Sequence, residues 1–397
     1  MDGPLEGYRI VDLTAMVSGP IATMMLAEQG ADVIKVEPPG QGDLVRAIGD
    51  ARSGITPLFA TSNRSKRSIS IDLKQPEGVA LLKRLVVTAD VFVQNFRPGT
   101  AERMGVGESA LRDVAPNLIY VSISGFGEKG PYAQQRVYDP IIQAASGLAA
   151  VQRDFETGRP RMVRTIVADK LTALTAAQAM TAALLSRERT GEGQHVRIAM
   201  LDAMVAFLWP EGMLQYTFVQ DGDKSGRQDR KLQTRDLVFE TSDGFITAGT
   251  VSDAEWAGFA RAAQRPELIG DPLFATGTAR VENWDERIEL MSGVFRADTT
   301  AHWLERLDAE QVPCTPILEC HELLTDAQIA ANELIEEVDH PQAGRIRHIR
   351  PAARFDCTAA RVRGFAPMLG QHTDEVLAEI GIDEPELASL REKGTVF

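Results

Sequence analysis

One stretch sets a carboxylate where chemistry could use it: RTIVADKLTALTAAQAMTAALLSRERTGEGQHVRIAMLDA, Arg164 to Asp202. Residues 165–168 form a short lead-in, and Asp169 follows. Leu171, Leu174, Ala177, Met180 and Leu184 then recur at three- and four-residue spacing, which predicts a helix starting directly after Asp169. Thr-Gly-Glu-Gly at 190–193 stops it, and residues 195–200 predict a strand. Asp169 is therefore expected at a helix N-terminus. Free N–H groups and the helix dipole hold a carboxylate ionised there. On the local pattern alone an N-cap is the simpler role; a functional carboxylate is the alternative.

The elements that would position it repeat along the N-terminal half. Residues 8–13 (YRIVDL) predict a buried strand, 20–29 a helix ending at Gly30, and 32–36 (DVIKV) a second strand. This is a βαβ unit of the size that a parallel crossover needs. A strand at 68–73, a helix at 76–88 and a strand at 91–94 follow. Then come partly helical residues 101–114 and a strand at 118–122. The alternation predicts an α/β fold with a Rossmann-like, doubly wound parallel sheet in a large domain. Ligands of such sheets bind at the carboxyl ends of the strands. Those ends carry Val17-Ser18-Gly19, Glu37-Pro38, Asn95-Phe96-Arg97 and Ser124-Gly125. The turn after the first strand, Thr-Ala-Met-Val-Ser-Gly-Pro, lacks G-x-G-x-x-G, so a dinucleotide reading is weak.

The large domain is expected over 1–212, followed by a polar linker at 213–236. A smaller α+β domain is expected over 237–325, and 326–397 is expected to return to the large domain. The small domain should hold a hairpin around a Ser-Asp-Gly turn, helices at 254–264, 284–296 and 300–309, and a strand within 311–318. Residues 346–350 and a helix at 373–380 belong to the return. His372, just before that helix, is expected to be structural.

Composition narrows the partners. The chain of 397 residues carries a net charge of −14 and no basic block, which argues against nucleic acid. No apolar run approaches membrane-spanning length, and the N-terminus shows no signal-peptide pattern. Cys314, Cys320 and Cys357 have no metal-site or disulfide spacing, so a cytoplasmic location and no metal are expected.

The stretch ADKLTALTAAQAMTAALLSRERTGEGQHVRIAMLDA resembles the central signature of the class III CoA-transferases, the formyl-CoA transferase and crotonobetainyl-CoA transferase group. PLEGYRIVDLT…SGP…LAEQGADVIKVEPPGQGD, NRSKRSISIDLKQPEG, DVFVQNFRPGTAERMG and APMLGQHTDEVLAEIG are similar to further family segments, so the likeness covers most of the chain. It implies that Asp169 is the catalytic nucleophile. It implies that Val17, Ser18, Ile71, Lys74, Asn95, Phe96, Arg97, Arg103 and Arg136 line a coenzyme A groove. Lys74, Arg97, Arg103 and Arg136 suit phosphate, since both residue types make charge-assisted bonds to it. Tyr138 and Asp139 fall in the family's substrate-side segment. The resemblance also implies CoA thioesters as substrates with no tightly bound cofactor, a carboxylic acid as second substrate, and an interlocked homodimer.

Three departures matter. Pro38 stands where some members have an arginine for the coenzyme. No run of glycines matches the closing loop of formyl-CoA transferase, since Gly222 and Gly226 are too sparse. The related α-methylacyl-CoA racemases carry a His-Asp pair where this chain has Tyr138-Asp139. A phenol of ordinary pKa about 10 is a poor base near neutral pH, which tilts the choice towards transfer. Two alternatives stay open on the sequence: a racemase in which Asp169 is a proton base, and an acyl-CoA-binding protein without turnover.

Overall fold

The structure, a computed structural model, describes residues 3–154, 156–213, 216–219 and 236–397. Most of the expected 213–236 linker, with Gly222 and Gly226, lies outside the described residues. The chain divides into two compact units. The first comprises residues 1–152, 160–218 and 333–397, and the second residues 153–159 and 219–332.

The first unit opens with β1 (Arg9–Leu13), α1 (Ser18–Glu28), β2 (Asp32–Glu37), α2 (Pro57–Asn63), β3 (Arg67–Ser70), α3 (Pro76–Val87) and β4 (Val91–Gln94). It continues through α4 (Thr100–Arg103), α5 (Glu108–Arg112), β5 (Ile119–Ser124), α6 (Asp139–Ala145) and α7 (Leu148–Val151). Then come α8 (Val167–Thr190), β6 (His195–Ala199) and α9 (Met200–Gly212). The second unit holds β7 (Phe239–Glu240), β8 (Phe245–Ala248), α10 (Asp253–Ala262), α11 (Gly277–Glu282), α12 (Trp284–Phe295), α13 (Thr300–Ala309), β9 (Cys314–Pro316) and α14 (Ala327–Ala331). The chain re-enters the first unit with β10 (Ile335–His340), β11 (Gly344–Ile349), α15 (Thr373–Glu379) and α16 (Glu384–Glu392).

Strands β1 to β6 form one parallel sheet in the order β3-β2-β1-β4-β5-β6. Their side chains alternate between two cores. Val11, Ile34, Val36 and Phe92 pack with Leu81 and Leu85 of α3 on one face. Ile10, Val33, Val91 and Val93 pack with Leu26 of α1 and Ala173, Ala176 and Met180 of α8 on the other. Burial on both faces explains why these strands read as continuous apolar runs rather than alternating ones. The strand order reverses direction between β1 and β4, which opens a crevice beyond their carboxyl ends.

Two elements differ from the sequence expectation. β3 stops at Ser70, because Ile71 bridges to Val396 and the Asp72 N–H donates to Thr395 O at 2.9 Å. Residues 200–212 are helical as α9, directly after β6. The second unit has its own core around Trp256, Phe259, Phe295 and Trp303. There β8 pairs antiparallel with β7 and with β9. His372 accepts from the Ser68 N–H at 3.1 Å through Nδ1, and its own N–H donates to Ser68 O at 2.8 Å, so it ties α15 to β3. Among the described residues no helix is long and apolar enough to cross a membrane.

Candidate active site

A cavity of about 290 Å³ lies in the crevice beyond β1 and β4. Its wall includes Val17 and Ser18 from the turn after β1, and Asn95, Phe96 and Arg97 from the turn after β4. Arg136 and Tyr138 border it from the segment before α6, and Asp169 from α8. All of these were singled out from the sequence. Ser124 and Gly125, from the strand end after β5 that the sequence also marked, line it too, and Ile123, Val137 and Met200 complete much of the apolar side. Ile123 and Met200 were not singled out from the sequence.

The other predicted residues stand elsewhere. Ile71 is buried in the core under α3. Lys74 and Arg103 do not border the cavity; Arg103 is exposed and donates to Thr100 Oγ1 at 2.9 Å. Arg97 and Arg136 are exposed cations at the rim. At the Pro38 departure, Arg46 does not replace the missing arginine. It is committed to Glu37 by bonds of 2.8 and 2.7 Å and stacks on Phe59.

Asp169 corrects the sequence reading in two respects. The helix begins at Val167, so Asp169 is its third residue rather than its cap. The cap comes from α6: Asp139 Oδ2 accepts from the Ala168 N–H at 2.7 Å and the Asp169 N–H at 3.1 Å. An external carboxylate satisfies these free donors, so the helix starts three residues earlier than the pattern predicts. Asp139 itself is buried, 3% exposed, and both its oxygens are used inside the protein.

The second correction concerns charge. Helix-terminus electrostatics alone would favour the ionised form of Asp169. Instead, burial and then the neighbouring Asp139 charge push its pKa up to about 6, against the opposing hydrogen bonds from Ser18. Both the hydroxyl and the N–H of Ser18 face the Asp169 carboxylate and act to lower its pKa. Ser18 is the first residue of α1, whose N-cap Val17 has no side-chain oxygen. Asp169 thus meets the N-terminus of α1 as Asp139 meets that of α8.

The turn that presents Ser18 is built by buried charges. Asn95 grips Ala15, accepting from its N–H at 2.9 Å and donating to its oxygen at 2.7 Å. Lys35 Nζ donates to Thr14 O at 2.9 Å and pairs with Asp43 at 2.9 Å, both side chains fully buried. Asp43 accepts from the Met16 N–H at 3.0 Å and so holds Met16 in the left-handed region at φ 71°. Asp12 accepts from Thr14 and Thr23 and pairs with Lys66 Nζ at 2.9 Å. Burial lowers the Lys66 pKa to about 8 despite Asp12, whereas Lys66 and Lys35 overcome burial and hold Asp12 well below the usual carboxylate range. Gly19 must be glycine, since a Cβ there would lie 2.4 Å from the Thr14 side chain.

The sequence reading missed this network, yet it left a signal. A lysine inside DVIKV, a strand buried on both faces, needs an anionic partner.

A second cavity of about 560 Å³ shares Phe96, Arg97, Pro98 and Ser124 with the first. It extends past Ser122, whose hydroxyl lies 2.8 Å from His195 Nε2. Among the described residues no group of three or more His, Cys, Asp or Glu side chains is arranged to hold a metal ion.

This site combines a half-buried carboxylate, donors from a helix N-terminus, and rim arginines. Its carboxylate can support nucleophilic attack on the carbonyl of a ligand that also has an anionic portion. Comparison with known proteins points the same way. The model of CoA-transferase family III matches residues 5–373. Succinyl-CoA:glutarate CoA-transferase of Mus musculus is 36% identical over 95% of this chain and 86% of its own length. Succinyl-CoA–D-citramalate CoA-transferase of Chloroflexus aurantiacus is 35% identical over 99% of this chain and 98% of its own. The crystal structure of a CaiB/BaiF family protein from Brucella suis superposes with a TM-score of 0.82 at 30% identity, covering 96% of this chain and all of that one. These names do not favour the racemase alternative.

Proposed function

This chain belongs to CoA-transferase family III, and on that premise we propose that it moves coenzyme A from an acyl-CoA to a carboxylic acid by covalent chemistry on Asp169. One observation carries the reading. The Asp169 carboxylate borders a cavity whose wall also includes Ser18, Asn95, Phe96, Arg97 and Arg136.

An Asp169 oxygen attacks the donor thioester carbon, and the C–S bond breaks. The products are an acyl-aspartyl anhydride and CoA thiolate. The thiolate attacks the aspartyl carbonyl, releasing the donor acid and leaving an aspartyl-CoA thioester. The acceptor carboxylate attacks that thioester, giving a second anhydride and thiolate again. Attack of the thiolate on the acceptor acyl carbon yields the new acyl-CoA and restores Asp169. No proton or electron is left over. Each step exchanges groups of similar energy, which is how covalent catalysis divides one hard exchange. At neutral pH a carboxyl of pKa about 6 is largely ionised and able to attack. The Ser18 N–H, free once the carboxylate is acylated, faces the charge that develops on the carbonyl oxygen. Arg97 and Arg136 meet the coenzyme phosphates.

The substrate class follows the relatives: a dicarboxylic acyl-CoA such as succinyl-CoA, with a small dicarboxylic or hydroxy-acid acceptor. The chain works as a homodimer in the cytoplasm, a reading supported by the family and by three free thiols.

The test is to mix the protein with a panel of acyl-CoAs, quench with hydroxylamine and analyse the peptides by mass spectrometry. A hydroxamate on Asp169 is expected and identifies the donor. No adduct with any donor, together with α-proton exchange into deuterated water, would overturn the proposal.

A further inference from the structure

Asp139 and Gln143 lie one helical turn apart on α6, so their side chains share a face. Both are buried, at 3% and 1% exposure. Gln143 Nε2 donates to Asp139 Oδ1 at 2.5 Å, and to the carbonyls of Val163 and Thr165 at 3.2 and 3.4 Å. Its Oε1 accepts from the Val163 N–H at 2.9 Å. The amide can stand only one way round. Val163 N–H requires an oxygen, and the carboxylate of Asp139 requires an N–H.

One buried amide therefore joins three things: the carboxylate that caps α8, the irregular backbone at 163–165, and α6. The segment 163–165 leads directly into α8, whose third residue is Asp169. Val163 and Thr165 lie in no helix or strand, so Gln143 supplies for them what a sheet or helix ladder supplies elsewhere. Asp139 Oδ2 then meets the N–H groups of Ala168 and Asp169.

We propose that Gln143 is a positioning residue for the transfer reaction: it locks Asp139 and the 163–165 backbone in the arrangement that sets the Asp169 carboxylate opposite Ser18. This rests on the reading of Asp169 as the nucleophile. Gln143 touches no reacting atom. It acts through Asp139, which also contributes the charge that raises the Asp169 pKa.

Two variants of the full chain test it. Gln143→Met keeps the length and removes the four bonds. Its kcat is expected to fall by roughly 10²-fold per folded molecule, the loss that follows a small misplacement of a reacting group, with KM for the donor little changed. Gln143→Glu keeps the shape but sets a second carboxylate against Asp139. Two such carboxylates share one proton at lower pH and repel once both ionise. The ratio of its kcat to that of the wild type is therefore expected to approach one on the acid side and to collapse as pH rises. A purely structural residue would lower the thermal transition and leave that ratio independent of pH.

Wild-type kcat in Gln143→Met, or a ratio flat with pH in Gln143→Glu, overturns the proposal. Where Gln143→Met does not fold, the Gln143→Glu ratio decides. Hydroxylamine trapping on the wild type keeps the two ideas apart. No Asp169 adduct refutes the nucleophile itself, whereas an adduct with silent Gln143 variants refutes only the positioning role.

Discussion

Replacing Asp169 by asparagine should stabilise the folded chain, and only at neutral and higher pH. Asp169 shifts from an ordinary 3.8 to about 6, first through burial and then through Asp139. Two pKa units correspond to about 3 kcal/mol, and the partial exposure of the side chain trims this to about 2 kcal/mol. The sign follows from proton binding. The folded chain holds this proton more tightly than the unfolded chain, so protonation favours folding. Below about pH 4 both states are protonated and the site costs nothing. Between about pH 4 and 6 the unfolded chain ionises first, and stability drains away as pH rises through the folded pKa. Asparagine is neutral throughout and can still accept from Ser18 through its oxygen. The two proteins should therefore be equally stable near pH 4. The variant should gain about 2 kcal/mol by pH 8. Urea unfolding across this range, compared as midpoint differences at constant slope, measures it. A difference that does not change with pH, or a variant less stable at pH 8, would refute the account of the Asp169 environment.

Four further outcomes are expected. Asp169→Ala should fold, as circular dichroism would report, and lose CoA exchange; near-normal exchange would sink the mechanism. The rate of acyl-aspartate formation, followed by rapid quench, should rise with pH through an apparent pKa of about 6, and an acid limb near 4 would contradict the structure. Lys66→Met leaves the buried Asp12 short of its direct partner and should cost about 3–5 kcal/mol in urea unfolding. Gly19→Ala forces a Cβ within 2.4 Å of Thr14, so the turn that presents Ser18 must shift; a Ser18 region unchanged by hydrogen exchange and full activity would count against this packing argument.

Much of the fold was legible along the chain because it is written in local pattern. β1, β2, β4 and β5 are short apolar runs bounded by turns, and α3, α10, α12 and α13 follow helical periodicity within a few residues. Strand alternation with helices implied the parallel sheet, and a parallel sheet implied a site at its carboxyl edge. Val17, Ser18, Asn95, Phe96 and Arg97, which border the cavity, directly follow β1 and β4, so strand ends alone pointed to them. Likeness to the family extended this to Asp169, Arg136 and Tyr138, which no periodicity distinguishes.

The tertiary structure decided what depends on groups remote in sequence. Where α8 starts is set by Asp139, 30 residues upstream, because a free N–H accepts a capping oxygen from any element that brings one. The pKa of Asp169 is likewise a property of its surroundings. Local sequence supplies a helix N-terminus and favours the ionised form. Burial and a second carboxylate arrive only with folding, and they prevail. The same holds for Lys66, whose partner Asp12 lies 54 residues away. Lys35 pairs with Asp43 from the segment just beyond its own strand, a pairing that only the folded turn brings about. Hydrophobic periodicity is short-ranged and survives reading one residue after another. Electrostatics and hydrogen-bond satisfaction are settled by what packs nearby, and that is known only once the chain has closed on itself.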